Sequence, residues 1–134
     1  MIVSTRGRYA LRVMVDIAEN EVNGYIPLKE IAERQNISHK YLEAIMTLLS
    51  KAGFVDAIHG KGGGYKLNRK PEEYNVAEIL NLTEGTLAPV ACLEEGAKPC
   101  SYKNSCRTIG MWTKLDSLVN DFFKSVSIKD LMKK

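Results

Sequence analysis

The strongest capacity for chemistry in this 134-residue chain lies in Cys92, Cys100 and Cys106, spaced Cys-x7-Cys-x5-Cys. Thiolates are soft ligands that bind iron–sulfur clusters, zinc and copper(I). Residues 86–105, which carry two of the three, contain Pro and Gly and show no helical or strand period. A loop of that kind can bring three sulfurs together where a rigid helix cannot. Zinc and iron–sulfur clusters normally take four ligands. The fourth has candidates nearby in Glu94, Glu95 and Asn104, or in a residue of a partner subunit. His39 and His59 lie in the other half of the chain and are poor candidates. The alternative is three free thiols in a loop, two of them a redox-active pair, that hold no metal. An odd cysteine count argues against a closed disulfide framework. No general base accompanies a nucleophile in the sequence, so an enzyme is not expected.

A second group of residues points to a polyanion. Residues 1–70 carry a net charge of +4 and residues 71–134 a net charge of −1. Charge alone fits an ordinary solvated surface as well as a nucleic-acid partner. The element pattern says more. Ser4 or Thr5 opens a first helix with Leu11, Val13, Met14, Ile17 and Ala18 at helical spacing, broken by Asn23-Gly24. Tyr25-Ile26 reads as a short strand. Pro27 suits the first turn of a second helix, which carries Leu28, Ile31 and Ala32 and ends at Asn36. Ser38 caps a third helix with Leu42, Ile45, Met46 and Leu49 facing inward and a stop at Gly53. Two short helices joined by Asn36-Ile37-Ser38 form a helix-turn-helix.

The outward side of the third helix offers His39, Lys40, Glu43, Ala44, Thr47, Ser50 and Lys51. A helix fits the DNA major groove, about 12 Å wide. Glu43 has two readings. A carboxylate facing phosphates is tolerable where it accepts from a base donor such as cytosine N4; otherwise it is a surface charge paired with Lys40 or Lys51. Phe54–Ile58 and Tyr65–Leu67 then form a hairpin, or wing, around Gly60-Lys61-Gly62-Gly63-Gly64, flanked by His59 and Lys66. Glycines let a backbone approach phosphate or a minor groove closely, or simply make a turn. The glycine run is not a phosphate-binding P-loop, because its lysine is misplaced and no Ser or Thr follows.

Asn75–Glu78 has capping-box spacing and opens a helix that closes at Gly85. From about Arg107 a long helix runs to Ser125, followed by a short amphipathic tail, 128–132. Its stripe of Ile109, Trp112, Leu115, Val119 and Phe122 is broad for a helix covering one small domain, and predicts a twofold dimer interface. The expected fold is mainly α, with three parts. Residues 1–85 make a winged helix-turn-helix domain, 86–106 a cysteine-bearing sensor loop, and 107–134 a dimerisation helix with its tail. No apolar run approaches the roughly 18–20 residues of a membrane span. The opening residues lack the apolar stretch of a secretory signal. The expectation is a cytoplasmic protein without a membrane partner.

Ser4–Arg12, Ile31–Ser38, Tyr41-Leu42-Glu43 and Gly60–Tyr65 together resemble the bacterial winged-helix regulators of the IscR, CymR and NsrR type. The resemblance spans essentially the whole chain and leans toward IscR. It implies a homodimer, joined through the long C-terminal helix, that binds a partly palindromic double-stranded DNA operator. The DNA-contacting candidates are then Ser38, His39, Lys40, Tyr41, Glu43 and Thr47 on the third helix, with His59, Lys61, Gly62 and Gly63 on the wing. It also implies an iron–sulfur cluster, of the [2Fe-2S] type, on Cys92, Cys100 and Cys106. The implied role is control of iron–sulfur cluster assembly, with nitric oxide or redox sensing second. The chain departs from the pattern at the fourth ligand. The histidine usual three residues after the third cysteine is Ile109 here. The acidic residue that serves near the start of some partner chains is also missing, since Arg6 and Arg8 precede the first acid, Asp16. The rival reading is a cluster-free repressor of cysteine metabolism of the CymR type, working with a partner enzyme.

Overall fold

A computed structural model describes residues 2–21, 24–102 and 104–133. Asn23, half of the expected break after the first helix, lies outside the described residues. Six α-helices and one hairpin follow in the order α1 (Thr5–Asn20), α2 (Leu28–Gln35), α3 (His39–Lys51), β1 (Val55–Ile58), β2 (Gly64–Leu67), α4 (Val76–Glu84), α5 (Ile109–Ser125) and α6 (Ile128–Leu131). The mainly helical class and the hairpin wing are as the sequence predicts. None of these helices is long and apolar enough to cross a membrane.

Local chemistry sets most boundaries. The Ser4 hydroxyl caps α1 by accepting from the Gly7 amide. Asn36 ends α2 in the left-handed region at φ 54°, which asparagine tolerates better than most residues. Asn75 and Glu78 close a reciprocal capping box at the start of α4. Pro27 stands one position earlier than expected, as the cap of α2. The Tyr25-Ile26 strand reduces to one bridge between Ile26 and Tyr65, with both backbone bonds at 2.8–2.9 Å.

The core joins α1, α2 and α3 through Val13, Met14, Ile17, Ile31, Leu42, Ile45, Met46 and Leu49, all at 0–1% exposure, and the wing adds Val55 and Leu67. A smaller cluster of Val76, Leu80 and Leu87 receives Phe123 from α5 and Val126 from the residue that caps it. Two features were not legible in the sequence. The tail is no loose appendage, because Ile128 is fully buried in the main core and its amide donates to the Tyr74 carbonyl. Tyr74 is also fully buried, and its hydroxyl donates to the Phe54 carbonyl at 2.8 Å while accepting from the amides of Asn68 and Arg69. Burial raises the pKa of that phenol above its ordinary value, with those amides and the Arg69 charge acting against the rise.

The long helix begins at Ile109, two residues later than Arg107. Thr108 occupies its cap position, and the turn before it is taken up by a contact between the Cys106 sulfur and the Thr108 hydroxyl.

Candidate functional site

The recognition helix is launched by a turn whose every residue has a job. Asn36 supplies the left-handed bend, Ile37 is buried, and the Ser38 hydroxyl accepts from the Tyr41 amide at 3.2 Å. Ser38 is therefore occupied as the cap of α3, whatever else it meets. Behind the turn sits the buried Asp16 carboxylate. It accepts from Arg34 Nε at 2.9 Å, Arg34 Nη2 at 2.8 Å and the Gln35 amide at 2.8 Å. Arg12 donates to the side chain and carbonyl of the same Gln35. The carboxylate partner raises the Arg34 pKa, against its partial burial. This network clamps the end of α2 to α1 and so fixes the angle at which α3 leaves.

His39, Lys40, Glu43, Thr47 and Lys51 are exposed on α3. Tyr41 is partly spent on packing, its ring edge-on to Tyr9 at 5.7 Å, with Arg12 over the Tyr9 face at 5.0 Å. Glu43 forms no ion pair with Lys40 or Lys51 among the described residues. Its charge instead reaches Tyr65 of the wing, whose phenol is raised chiefly by burial and then by Glu43.

The wing pairs Val55 with Leu67 through Ile58 with Gly64. His59 and Lys61 are exposed at its tip. The glycines there are not equivalent. Gly62 has φ 79° and open space around it, so its requirement is conformational. A β-carbon at Gly63 would collide with the Ile58 carbonyl, and one at Gly64 with the Ile26 carbonyl. Gly63 is thus required by the hairpin itself, independently of any DNA.

The N-terminal motif also has a structural task. The Ser4 amide and hydroxyl donate to Glu84 at 2.5 and 2.6 Å, and Arg6 donates to the Thr83 carbonyl at 2.5 Å. Gly7 is buried against Leu80, Thr83 and Glu84, where a β-carbon would sit at 3.0–3.2 Å from them. Burial opposes ionisation of Glu84, but the Ser4 and Thr83 bonds and the Arg6 charge outweigh it and hold the carboxyl below its usual range.

The three thiols are unbridged and line a single cavity of about 280 Å³. Leu93, Ala97, Pro99 and Ile109 give it apolar walls, and Lys98 is the charged residue on its surface. Hydrogen bonds from Thr108 and the Ile109 amide lower the Cys106 pKa. Among the described residues, no three His, Cys, Asp or Glu side chains converge tightly enough to hold one metal ion. A cluster of several irons distributes its ligands around a larger body, so donors ringing a cavity suit it better than they suit a single ion. Glu94 and Glu95 are among the residues lining an adjoining cavity of about 440 Å³, with Asp116 and Asn120.

Beyond the thiols, α5 has no fully buried residue. Its most exposed apolar side chains are Met111, Leu115, Leu118 and Phe122, at 57%, 38%, 59% and 62%. They fall at i, i+4, i+7 and i+11, one ridge of the helix. Leu115 and Phe122 belong to the expected stripe; Ile109, Trp112 and Val119 are half-buried beside it. Met111 and Leu118 carry the same helical spacing and complete the ridge.

A helix-turn-helix, a glycine-tipped basic wing and a long trailing helix define the class of winged-helix transcriptional regulators. Residues 3–134 match the family model of Rrf2, described as an iron-dependent transcriptional regulator, and the chain belongs to that family. It is 36% identical over 132 residues to the HTH-type transcriptional regulator IscR of Aliivibrio salmonicida, covering 98% of this chain and 77% of that protein. Among solved structures it resembles CymR, the global cysteine regulator of B. subtilis, with TM-score 0.77 and 31% identity over 98% of this chain and 95% of that one. It also resembles T. potens IscR, with TM-score 0.75 and 32% identity over 98% and 85%.

Proposed function

We propose that this regulator is a homodimer that binds a double-stranded operator and senses iron–sulfur or redox status through a cluster held by Cys92, Cys100 and Cys106. The observation that carries the reading is the gathering of all three thiols around one cavity at the foot of α5, the helix with the exposed apolar ridge. The matched family's iron dependence and the IscR-named relatives support it.

Each part of the chain has a role in this scheme. Two copies of α5 bury their ridges against each other and set two α3 helices about 34 Å apart on one DNA face. Lys40 and Lys61 meet phosphate, and Glu43, His39 and Thr47 meet base edges. The bound cluster supplies a redox- and ligand-sensitive centre. Loss of order in the loop reaches α5 through the Cys106–Thr108 contact, 3.5 Å long, and α5 carries it to the spacing of the two recognition helices. The expected coupling is about 1–3 kcal/mol, a factor of roughly 5–150 in operator affinity.

The test begins with selection of an operator from a random duplex pool by anaerobically purified protein. Affinity is then compared for the loaded protein, the metal-depleted protein and alanine variants of each cysteine. Each variant should bind as the depleted protein does. Variants that match the loaded wild type would remove the cluster from the mechanism.

One observation favours a second reading, a cluster-free regulator of cysteine metabolism acting with a partner enzyme. It is the likeness to CymR, together with thiols that do not converge on a single-ion site. A colourless, iron-free protein that binds its operator with full affinity would select it.

A further inference from the structure

The long helix is fastened to the rest of the chain near one end. Among the described residues, α5 contributes only Phe123 to the two core clusters. The residues that follow it are sewn to the segment before α4. The Val76 amide donates to the Val126 carbonyl at 2.9 Å, and the Ile128 amide donates to the Tyr74 carbonyl at 3.1 Å. Between these bonds Asn75 faces Ser127 in an antiparallel bridge. Ile128 is fully buried in the main core, and the Lys133 amide donates to the Glu19 carboxylate of α1 at 2.6 Å.

Tyr74 joins this seam to the parts that meet DNA. Its carbonyl holds Ile128, while its hydroxyl donates to the Phe54 carbonyl and accepts from the Asn68 and Arg69 amides at the base of the wing. The Asn68 side-chain amide donates in turn to the Gly53 carbonyl, just past the end of α3, at 2.8 Å. Tyr74 has no exposed surface. A close-packed interior leaves such a ring no room to swing, so a shift of its backbone becomes a shift of its hydroxyl. We propose that Ile128 and Tyr74 are positioning residues for DNA binding, which transmit the orientation that a second copy imposes on α5 to the base of the wing. The inference rests on the dimer reading above and needs no metal. The long helix then sets the angle of each wing as well as the spacing of the two α3 helices. A monomer keeps its recognition helix and loses the fixed angle of its wing.

The experiment uses the full chain. Sedimentation first establishes the wild-type dimer and the Leu115→Asp monomer. Amide hydrogen exchange is then read by NMR at Asn68 and Arg69, whose amides donate to the Tyr74 hydroxyl. Amides of α2 correct for the general stabilisation that association gives any dimer. After that correction the two wing amides should exchange more slowly in the dimer by roughly fivefold or more, the lower end of ordinary coupling between sites. A two-glycine insertion between Ser125 and Val126 leaves the ridge and Ile128 in place but parts the helix from its joint. A dimer of that variant should exchange as the monomer does. Ile128→Ala should shrink the difference, and Ile128→Val should restore it. If circular dichroism shows Ile128→Ala unfolded, the insertion decides alone. Equal exchange in wild-type dimer and monomer would overturn the proposal, since a merely structural Tyr74 holds both amides alike in either state. An insertion variant that keeps the full difference would overturn it too. Wild type that sediments as a monomer fails the dimer reading itself, a separate result obtained before any exchange is measured.

Discussion

Replacing Tyr74 by Phe isolates a single hydroxyl at the base of the wing. The ring stays, along with its tilted contact to Phe54 at 6.3 Å and the Arg69 guanidinium 4.7 Å above its centre. What is lost is the bond donated to the Phe54 carbonyl at 2.8 Å and the bonds accepted from Asn68 and Arg69 at 3.0 and 3.1 Å. The Phe54 carbonyl lies in a buried pair, so stranding it costs about 1–3 kcal/mol. The two amides are only partly buried, and water recovers much of their loss, leaving about 0.5 kcal/mol each. The sum is about 2–4 kcal/mol. With a urea m-value of about 1–3 kcal/mol/M, the midpoint should fall by roughly 0.7–4 M at fixed protein concentration. Because burial raises the phenol pKa, the hydroxyl keeps its proton throughout the neutral range, and the loss should be the same at pH 6 and pH 8. Non-specific DNA affinity should also fall, since the wing is seated on this residue. A midpoint shift below about 0.3 M would show that the hydroxyl does not organise the wing, and the reasoning would fail.

Three further outcomes follow from the geometry. Glu43→Ala should keep or raise affinity for scrambled duplex while lowering the operator-to-scrambled ratio by about 1–3 kcal/mol, measured by competition binding; an unchanged ratio would make Glu43 a plain surface charge. Leu118→Asp or Leu115→Asp should leave the circular dichroism intact and weaken the dimer by about 10²–10⁴-fold in sedimentation. Each such leucine is worth about 1.5–3 kcal/mol and counts twice across a twofold axis. Glu84, held below its usual range, stabilises the fold fully above the ordinary carboxylate pKa of about 4.3 and loses that contribution as pH falls through its folded value. The stability gap between wild type and Glu84→Gln should therefore be constant above pH 6 and close below about pH 4; a gap that widens in acid would contradict the assignment.

Sequence reading reached the helix-turn-helix because its parts are local. Asn36, Ser38 and the Asn75–Glu78 box each act on a backbone within a few residues. The wing was visible for the same reason, since alternation and a glycine run mark a hairpin. Tyr74 and Ile128 were missed because their partners lie far along the chain or on an element too short to show a period. Asp16 gave one unused sign: a carboxylate on the apolar stripe of α1, between Met14 and Ile17, must be paired if it is buried. Gly63 read as a place for DNA to approach, and its steric need came from the Ile58 carbonyl, a contact made only when the hairpin closes. The cysteines were evident from their spacing, but which neighbours share their cavity depended on loop geometry that sequence does not encode in any simple repeat. Glu94 and Glu95 line a different cavity, and Lys98 is among the residues that line this one.

The central claim is that Cys92, Cys100 and Cys106 together hold an iron–sulfur cluster. Its most direct measurement is the visible spectrum, with iron and acid-labile sulfide counts, of anaerobically purified wild type beside the three single alanine variants. The account predicts a coloured wild type containing both iron and sulfide, and loss of colour and of both elements in every variant. A colourless wild type, or variants that keep the wild-type spectrum, would contradict it.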